Sequence, residues 1–169
     1  VWETRVRDYA YYAAANRGVD TNWWDWDDLP VVNVNWNDAH AFCKWLTSKE
    51  RGEGSLGEDQ KYRLPTDEEW SWAIGIGDRE GSGTPKAKNS KLAGVYPWGT
   101  QWPPKQPVGN FADQSARQIS KGWSVIKGYT DGYMSTSPVG QFVSNNGLFD
   151  LSGNVWEWCE DKYDGTAGG

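Results

Sequence analysis

Helix signals crowd into the first half of this chain and then stop, and that asymmetry excludes most regular architectures. Thr4 predicts the cap of a helix from about Arg5 to Asn16, with Val6, Tyr9, Ala10 and Ala13 on one face and Gly18 ending it. A short apolar run from Pro30 to Val34 follows, and Asn35 then caps a second helix with Asp38 at its third position. Ala39, Phe42, Cys43 and Leu46 form the expected buried stripe of that helix. Lys49 to Gln60 reads as a charged, glycine-broken loop. Thr66-x-x-Glu69 is a capping box that opens a third helix, from Asp67 to about Ile74, with Trp70, Ala73 and Ile74 inward. From Gly75 to Asn146 no helical period recurs. A parallel sheet with alternating helices would contradict this reading. The expected class is α+β with about three helices, short strands and much irregular structure.

Ordering irregular backbone costs roughly 1–2 kcal/mol per residue, so the second half needs anchors. The 13 Trp among 169 residues point to a core of aromatic plates, each indole N–H needing a partner. Phe111, Trp123, Ile126, Tyr129, Tyr133 and Phe142 are the expected anchors of the irregular half. TNWWDWDD, within residues 19–29, is expected to plug the core and its rim, GIGDREGSGTPKAKNSK to be a flexible surface loop, and YPWG a turn burying Trp98. A long ordered loop often needs a disulfide or a metal as a staple. Both cysteines lie outside the segment, so a metal is the expected one.

The net charge of −6 argues against a nucleic-acid partner, which needs a basic face. No apolar run approaches a membrane span. The abrupt start at Val1 suggests part of a longer domain, truncated at both ends, and the expected compartment leans extracytoplasmic. Cys43 and Cys159 leave three options: one disulfide, two free thiols, or partners elsewhere. A single His40 with two distant cysteines makes neither a structural zinc site nor a serine-hydrolase triad, and His40 is expected on a helix surface.

The richest stretch is GLFDLSGNVWEWCED, from Gly147 to Asp161. Asp150, Asn154 and Glu157 bring side-chain oxygens close together, and Gly153 lets the backbone bend so that carbonyls face inward. Oxygen donors from side chains and backbone on a tight turn suit a hard cation such as Ca2+, while spacing alone reads the stretch as a turn into an aromatic-rich strand with a solvated acidic edge. Asp131-Gly132 in YTDGY reads locally as a plain β-turn.

GLFDLSGNVWEW, together with PVVNVNWNDAHAFCKWL, YRLPTDEEWSWA and YPWG in this order, resembles the formylglycine-generating enzyme family, also called sulfatase-modifying factors. The resemblance covers most of the chain. It implies a C-type-lectin-like fold, one shared with the variable proteins of diversity-generating retroelements. It also implies two structural calcium sites. One would take side-chain oxygens of Asn110 and Asp131 and carbonyls of Phe111 and Tyr133. The other would take side chains of Asp150 and Glu157 and carbonyls of Gly153 and Val155, with Asp150 standing where the animal enzyme has Asn.

The resembled enzymes oxidise a sulfatase cysteine to formylglycine, using O2 and a copper(I) ion held by two thiolates. Those cysteines follow an RVxRGGSW-like stretch, which these 169 residues do not contain, and neither Cys43 nor Cys159 matches them. No catalytic residue is therefore assigned; copper belongs only to a complete enzyme. The expectation is an inactive scaffold with a sulfatase or another protein or peptide as partner. The alternative is a non-catalytic ligand-binding domain of the same fold. An iron-dependent sulfoxide-synthase sibling would need a His-rich site, and one His argues against it.

Overall fold

The computed structural model describes residues 2–16, 26–89 and 91–164. Helix α1 spans Val6–Ala15, α2 Trp36–Gly52, α3 Asp67–Ala73, α4 Gly77–Glu80 and α5 Pro85–Lys88. Two 3-10 turns follow, at Ser115–Gln118 and Asn145–Gly147. The expected short strands take the form of three isolated antiparallel bridges among the described residues, Arg5–Pro30, Tyr96–Gly99 and Val143–Phe149.

The caps of α2 and α3 form as their sequences dictate. Asn35 Oδ1 accepts from Asp38 N at 3.1 Å, and Asp38 Oδ2 accepts from Asn35 N at 2.9 Å. Thr66 Oγ1 accepts from Glu69 N at 3.1 Å, and Glu69 returns the bond to Thr66 N at 2.8 Å. Helix α1 is capped one residue later than expected. Its N-cap is Arg5. Asp8 holds the Arg5 guanidinium at 2.7 and 2.9 Å, a charge-assisted fork that outweighs the weak Thr4 signal. Helix α2 runs on to Gly52, through the first residues of the expected loop. The residues 17–25, with Gly18 and most of the TNWWDWDD stretch, lie outside the described residues.

The expected flexible loop after α3 is instead partly helical. Thr84 Oγ1 accepts from Ala87 N at 3.2 Å, and Pro85 occupies the first turn, where its missing N–H is harmless. Lys88 is buried, and its ammonium pairs with Glu80 at 2.6 Å and with Asp67. That buried pairing is what pins the segment.

The core is small. Val6, Tyr9 and Tyr12 of α1 are buried, and the two tyrosines pack on α2, with Tyr9 and Phe42 ring centroids 5.0 Å apart and Tyr12 and Trp45 5.6 Å apart. In α2 only Thr47 is fully buried, so its predicted stripe is half-covered. The irregular half has a second aromatic layer: Tyr96 stacks on Trp98 at 5.1 Å, and Phe111 meets Trp98 and Tyr129 edge-on, each at 5.7 Å. Tyr129 and Phe142 are buried as expected, but Trp123 is 49% exposed and Trp98 is only half-buried.

Residues 109–111 and 152–154 are pressed together backbone to backbone. A methyl group on Gly109 would lie 1.6 Å from the Ser152 carbonyl oxygen, and one on Gly153 would lie 2.2 Å from the Asn110 carbonyl oxygen. At Gly132, by contrast, φ is +91° and nothing lies within 4 Å of an added methyl. Gly109→Ala is thus expected to lose more stability than the ~1–3 kcal/mol of ordinary overpacking, and Gly132→Ala only the ~1–2 kcal/mol of a left-handed residue. Denaturant midpoints decide it; equal losses would show that the close approach is not tight.

Candidate functional site

The close approach of the two loops puts Asn154 at the centre of a polar knot. Its N–H donates to the Asn110 carbonyl at 2.8 Å. Its Oδ1 accepts from Asn110 Nδ2 at 3.0 Å, from Ser137 N at 2.8 Å and from Ser137 Oγ at 3.3 Å. Its Nδ2 donates to Glu3 Oε2 at 2.7 Å and to the Ser137 carbonyl at 3.3 Å. One amide side chain thus ties the N-terminal segment, the 109–111 loop, the 135–137 loop and the WEW stretch. Asn154 sits at φ +60° and Asp150 at φ +64°, the left-handed region that Asn and Asp tolerate best among residues with a side chain.

The predicted oxygen residues surround this knot. Asn110 is buried, with Nδ2 also donating to the Ser135 carbonyl at 2.6 Å. Asp131 accepts from Phe111 N at 2.8 Å and from Tyr133 N at 2.9 Å, so the expected plain β-turn carries an Asp side chain folded onto its own backbone. Asp150, 1% exposed, accepts from the N–H groups of Gly140 and of Phe142, the latter at 2.9 Å. Glu157 accepts from Trp70 Nε1 at 2.5 Å. The carbonyls of Phe111, Tyr133, Gly153 and Val155 accept no hydrogen bond among the described residues. The two predicted clusters therefore adjoin each other across Asn110 and Asn154. Among the described residues no three His, Cys, Asp or Glu side chains gather as a metal-holding group, so an ion here would depend on backbone carbonyls.

The electrostatics are strained toward excess negative charge. Burial raises the carboxyls of Asp131 and Glu157, and nearby Asp113 and Asp150 respectively add to the rise. Burial lifts Glu3 furthest, to about 8, with Asp150 and Glu157 contributing; the bond from Asn154 opposes. Glu3 Oε1 is buried with no hydrogen-bond partner. Asp113 is the contrasting case. Burial pushes it up, but donors from Asp131, Thr130, Ser115 and Ala116 together hold it below the usual range. Fully buried, it accepts from Ser115 N at 2.6 Å and from Asp131 N at 2.7 Å.

Glu3, Asp113 and Ser137 were not legible as site residues. Glu3 meets Asn154 across 151 positions of chain, and Asp113 sits in an unremarkable FADQ. The cysteines are both free, and burial raises both thiols, Cys159 to about 11. His40 is not a free surface residue: its ring lies 3.8 Å from that of Trp36, and Nε2 is 2.9 Å from Glu160.

The sequence matches the family model described as sulfatase-modifying factor enzyme 1-like domain over residues 7–168. The chain belongs to the formylglycine-generating enzyme, or sulfatase-modifying factor, family. Among curated relatives it is 36% identical to the inactive C-alpha-formylglycine-generating enzyme 2 of Bos taurus, over 80% of this chain and 34% of that protein. It is 32% identical to the formylglycine-generating enzyme of Thermomonospora curvata, over 89% of this chain and 39% of that protein. The chain thus spans little more than a third of these relatives. The structure of PvdO from Pseudomonas aeruginosa superimposes with a TM-score of 0.57 at 22% identity, covering 98% of this chain and 60% of that one, which fixes a shared fold. No helix among the described residues is long and apolar enough to cross a membrane.

The Glu3 carboxyl generates a pH signature. A carboxyl raised from 4.5 to about 8 on folding contributes stability that is fully present below about pH 4.5 and lost as pH rises through 8. In chelator-treated buffer the melting temperature should therefore fall between pH 5 and 8, above the range in which ordinary carboxylates titrate. Glu3→Gln should flatten much of that slope, leaving the part due to Asp131 and Glu157. An unchanged slope would mean that Glu3 ionises normally in the folded chain.

Proposed function

We propose that residues 1–169 form the calcium-stabilised scaffold of a formylglycine-generating-enzyme-type domain with a C-type-lectin-like fold, and that this stretch of chain does not itself oxidise cysteine. The observation that carries the reading is the meeting of the two oxygen clusters at the Asn110–Asn154 contact, with four carbonyls left without donors among the described residues. One calcium ion would take Asn110 and Asp131 with the carbonyls of Phe111 and Tyr133. A second would take Asp150 and Glu157 with the carbonyls of Gly153 and Val155. All are hard oxygen donors of the kind calcium prefers. The N–H bonds to Asp131 and Asp150 leave lone pairs on each carboxylate. A bound cation supplies the positive charge that burial denies to Asp131 and Glu157, and its sites join the N-terminal and C-terminal ends of the irregular half.

Copper does not fit the cysteines in hand. A copper(I) centre of this family needs a pair of thiolates in one place, and Cys43 and Cys159 line different hollows, Cys43 the one against α2 and Cys159 the one beside Trp36 and Pro85. Catalytic cysteines would have to come from outside residues 1–169. The partner of a whole protein would be a sulfatase or another protein or peptide. A second reading, a non-catalytic binding domain, draws support from the 36% identity to a protein named as inactive.

Two outcomes are expected. The chain should lose several degrees of melting temperature on chelation, because a ligand of the folded state at a hundredfold above its Kd contributes about 2.7 kcal/mol. Asp131→Ala and Glu157→Ala should melt lower and respond less to added calcium. Insensitivity of the wild type to both chelator and calcium would refute the metal sites. Incubated with copper and a sulfatase-type cysteine peptide, residues 1–169 should leave the peptide mass unchanged; an aldehyde product would overturn the inactive reading.

A further inference from the structure

The one Asn-Gly step in this sequence, Asn146-Gly147, sits where the chain reverses on itself. Ser144 N donates to the Leu148 carbonyl at 2.8 Å, Asp150 N donates to the Phe142 carbonyl at 2.7 Å, and Val143 bridges Phe149. Residues 145–147 close that reversal. Asn146 is left-handed at φ +62° and ψ +23°, and Gly147 follows at φ +72°. Both residues are exposed. Asn-Gly suits such a tip because both positions have positive φ. The same dipeptide sets a side-chain amide beside a backbone nitrogen whose own residue has no side chain. Every other asparagine in the sequence precedes a residue with a side chain, which hinders approach of that nitrogen. Asp131-Gly132 is the nearest rival, but its two carboxylate oxygens accept from the N–H groups of Phe111 and Tyr133.

We propose that Asn146-Gly147 is a self-modification site, at which the chain converts Asn146 to isoaspartate and so loosens the reversal that seats Asp150. The Gly147 nitrogen attacks Asn146 Cγ. A C–N bond forms there, the bond from Cγ to the side-chain nitrogen breaks, and the Gly147 proton leaves with that nitrogen as ammonia. A five-membered imide remains. Water opens it: attack at the side-chain carbonyl gives Asp, and attack at the main-chain carbonyl gives isoaspartate. No oxidant, reductant or cofactor enters. At ψ +23° the Gly147 nitrogen is turned away from the Asn146 side chain, so the peptide unit rotates before it attacks. An exposed tip permits that rotation by local opening, with the core intact. Isoaspartate routes the backbone through the side-chain carbon and so lengthens the tip by a methylene. Four residues on, Asp150 is 1% exposed at φ +64°, and its carboxylate accepts from the N–H groups of Gly140 and Phe142. That seat depends on the register of the two arms, which a lengthened tip disturbs. The inference does not involve calcium, so it and the metal sites can fail separately.

The test ages the purified protein at mildly alkaline pH in chelator-treated buffer and follows it by peptide mapping. Asn146 should show the mass change of exchanging NH for O before any other asparagine does. In heavy-oxygen water it should take up the label, and an isoaspartate-specific methyltransferase should then methylate it. The rate should climb with pH, because attack needs the Gly147 nitrogen deprotonated. It should be several-fold slower than in the free peptide Ser144–Phe149, where ψ rotates without restraint. Aged protein should melt several degrees below fresh protein in the same buffer. Asn146→Gly keeps the left-handed tip without an amide. It should show no conversion at this position and hold its melting temperature through ageing. Asn146 still intact once the free peptide is fully converted would overturn the proposal, as would another asparagine reacting first. An equal loss of melting temperature in aged Asn146→Gly would also overturn it, since the damage would then lie elsewhere.

Discussion

The irregular half of this domain depends on one side chain, the Asn154 amide. An amide offers two donors and two acceptor lone pairs. Here the oxygen accepts from Asn110 and Ser137 and the nitrogen donates to Glu3 and to the Ser137 carbonyl. No carboxylate or hydroxyl supplies both sets of bonds. The surrounding geometry makes room for it: Gly109 and Gly153 admit a backbone-to-backbone approach that any side chain would block. In a chain with few β-bridges and short helices, this knot does what a sheet ladder does elsewhere, pairing distant backbone through buried hydrogen bonds.

The knot is rich in acceptors and poor in positive charge. Asp113 and Asp150 are supplied by backbone N–H groups. Asp131 and Glu157 remain raised by burial, and Glu3 most of all. The fold thus gathers acidic side chains around a small amide-centred core, and the same place offers four carbonyls unengaged among the described residues. The proposed calcium ions answer that lack of positive charge.

What was legible in the sequence was local. The caps at Asn35 and Thr66 depend on residues three positions apart, and both formed as written. The Thr84-Pro85 signal was equally local but lay inside a glycine- and lysine-rich stretch that read as a loop; the burial of Lys88 against Glu80 and Asp67 decided otherwise. The oxygen residues at 110, 131, 150 and 157 were picked out through family motifs, yet the bond that ties Asn110 to Asn154 was not. Hydrogen bonds reaching 25, 44 and 151 positions along the chain leave no period to detect. Trp156 shows the opposite failure. A WEW stretch suggests a core strand, yet its first indole is fully exposed.

Native-state hydrogen exchange tests the central role of the knot most directly. The N–H groups of Phe111, Asp131, Ser137 and Asn154 come from three separated loops but are bonded within one network or its immediate neighbours. If Asn154 unifies them, these four amides exchange with one common opening free energy, and Asn154→Ala collapses their protection together while α2 amides stay slow. Independent exchange rates for the four amides, or protection that survives in Asn154→Ala, would contradict the account.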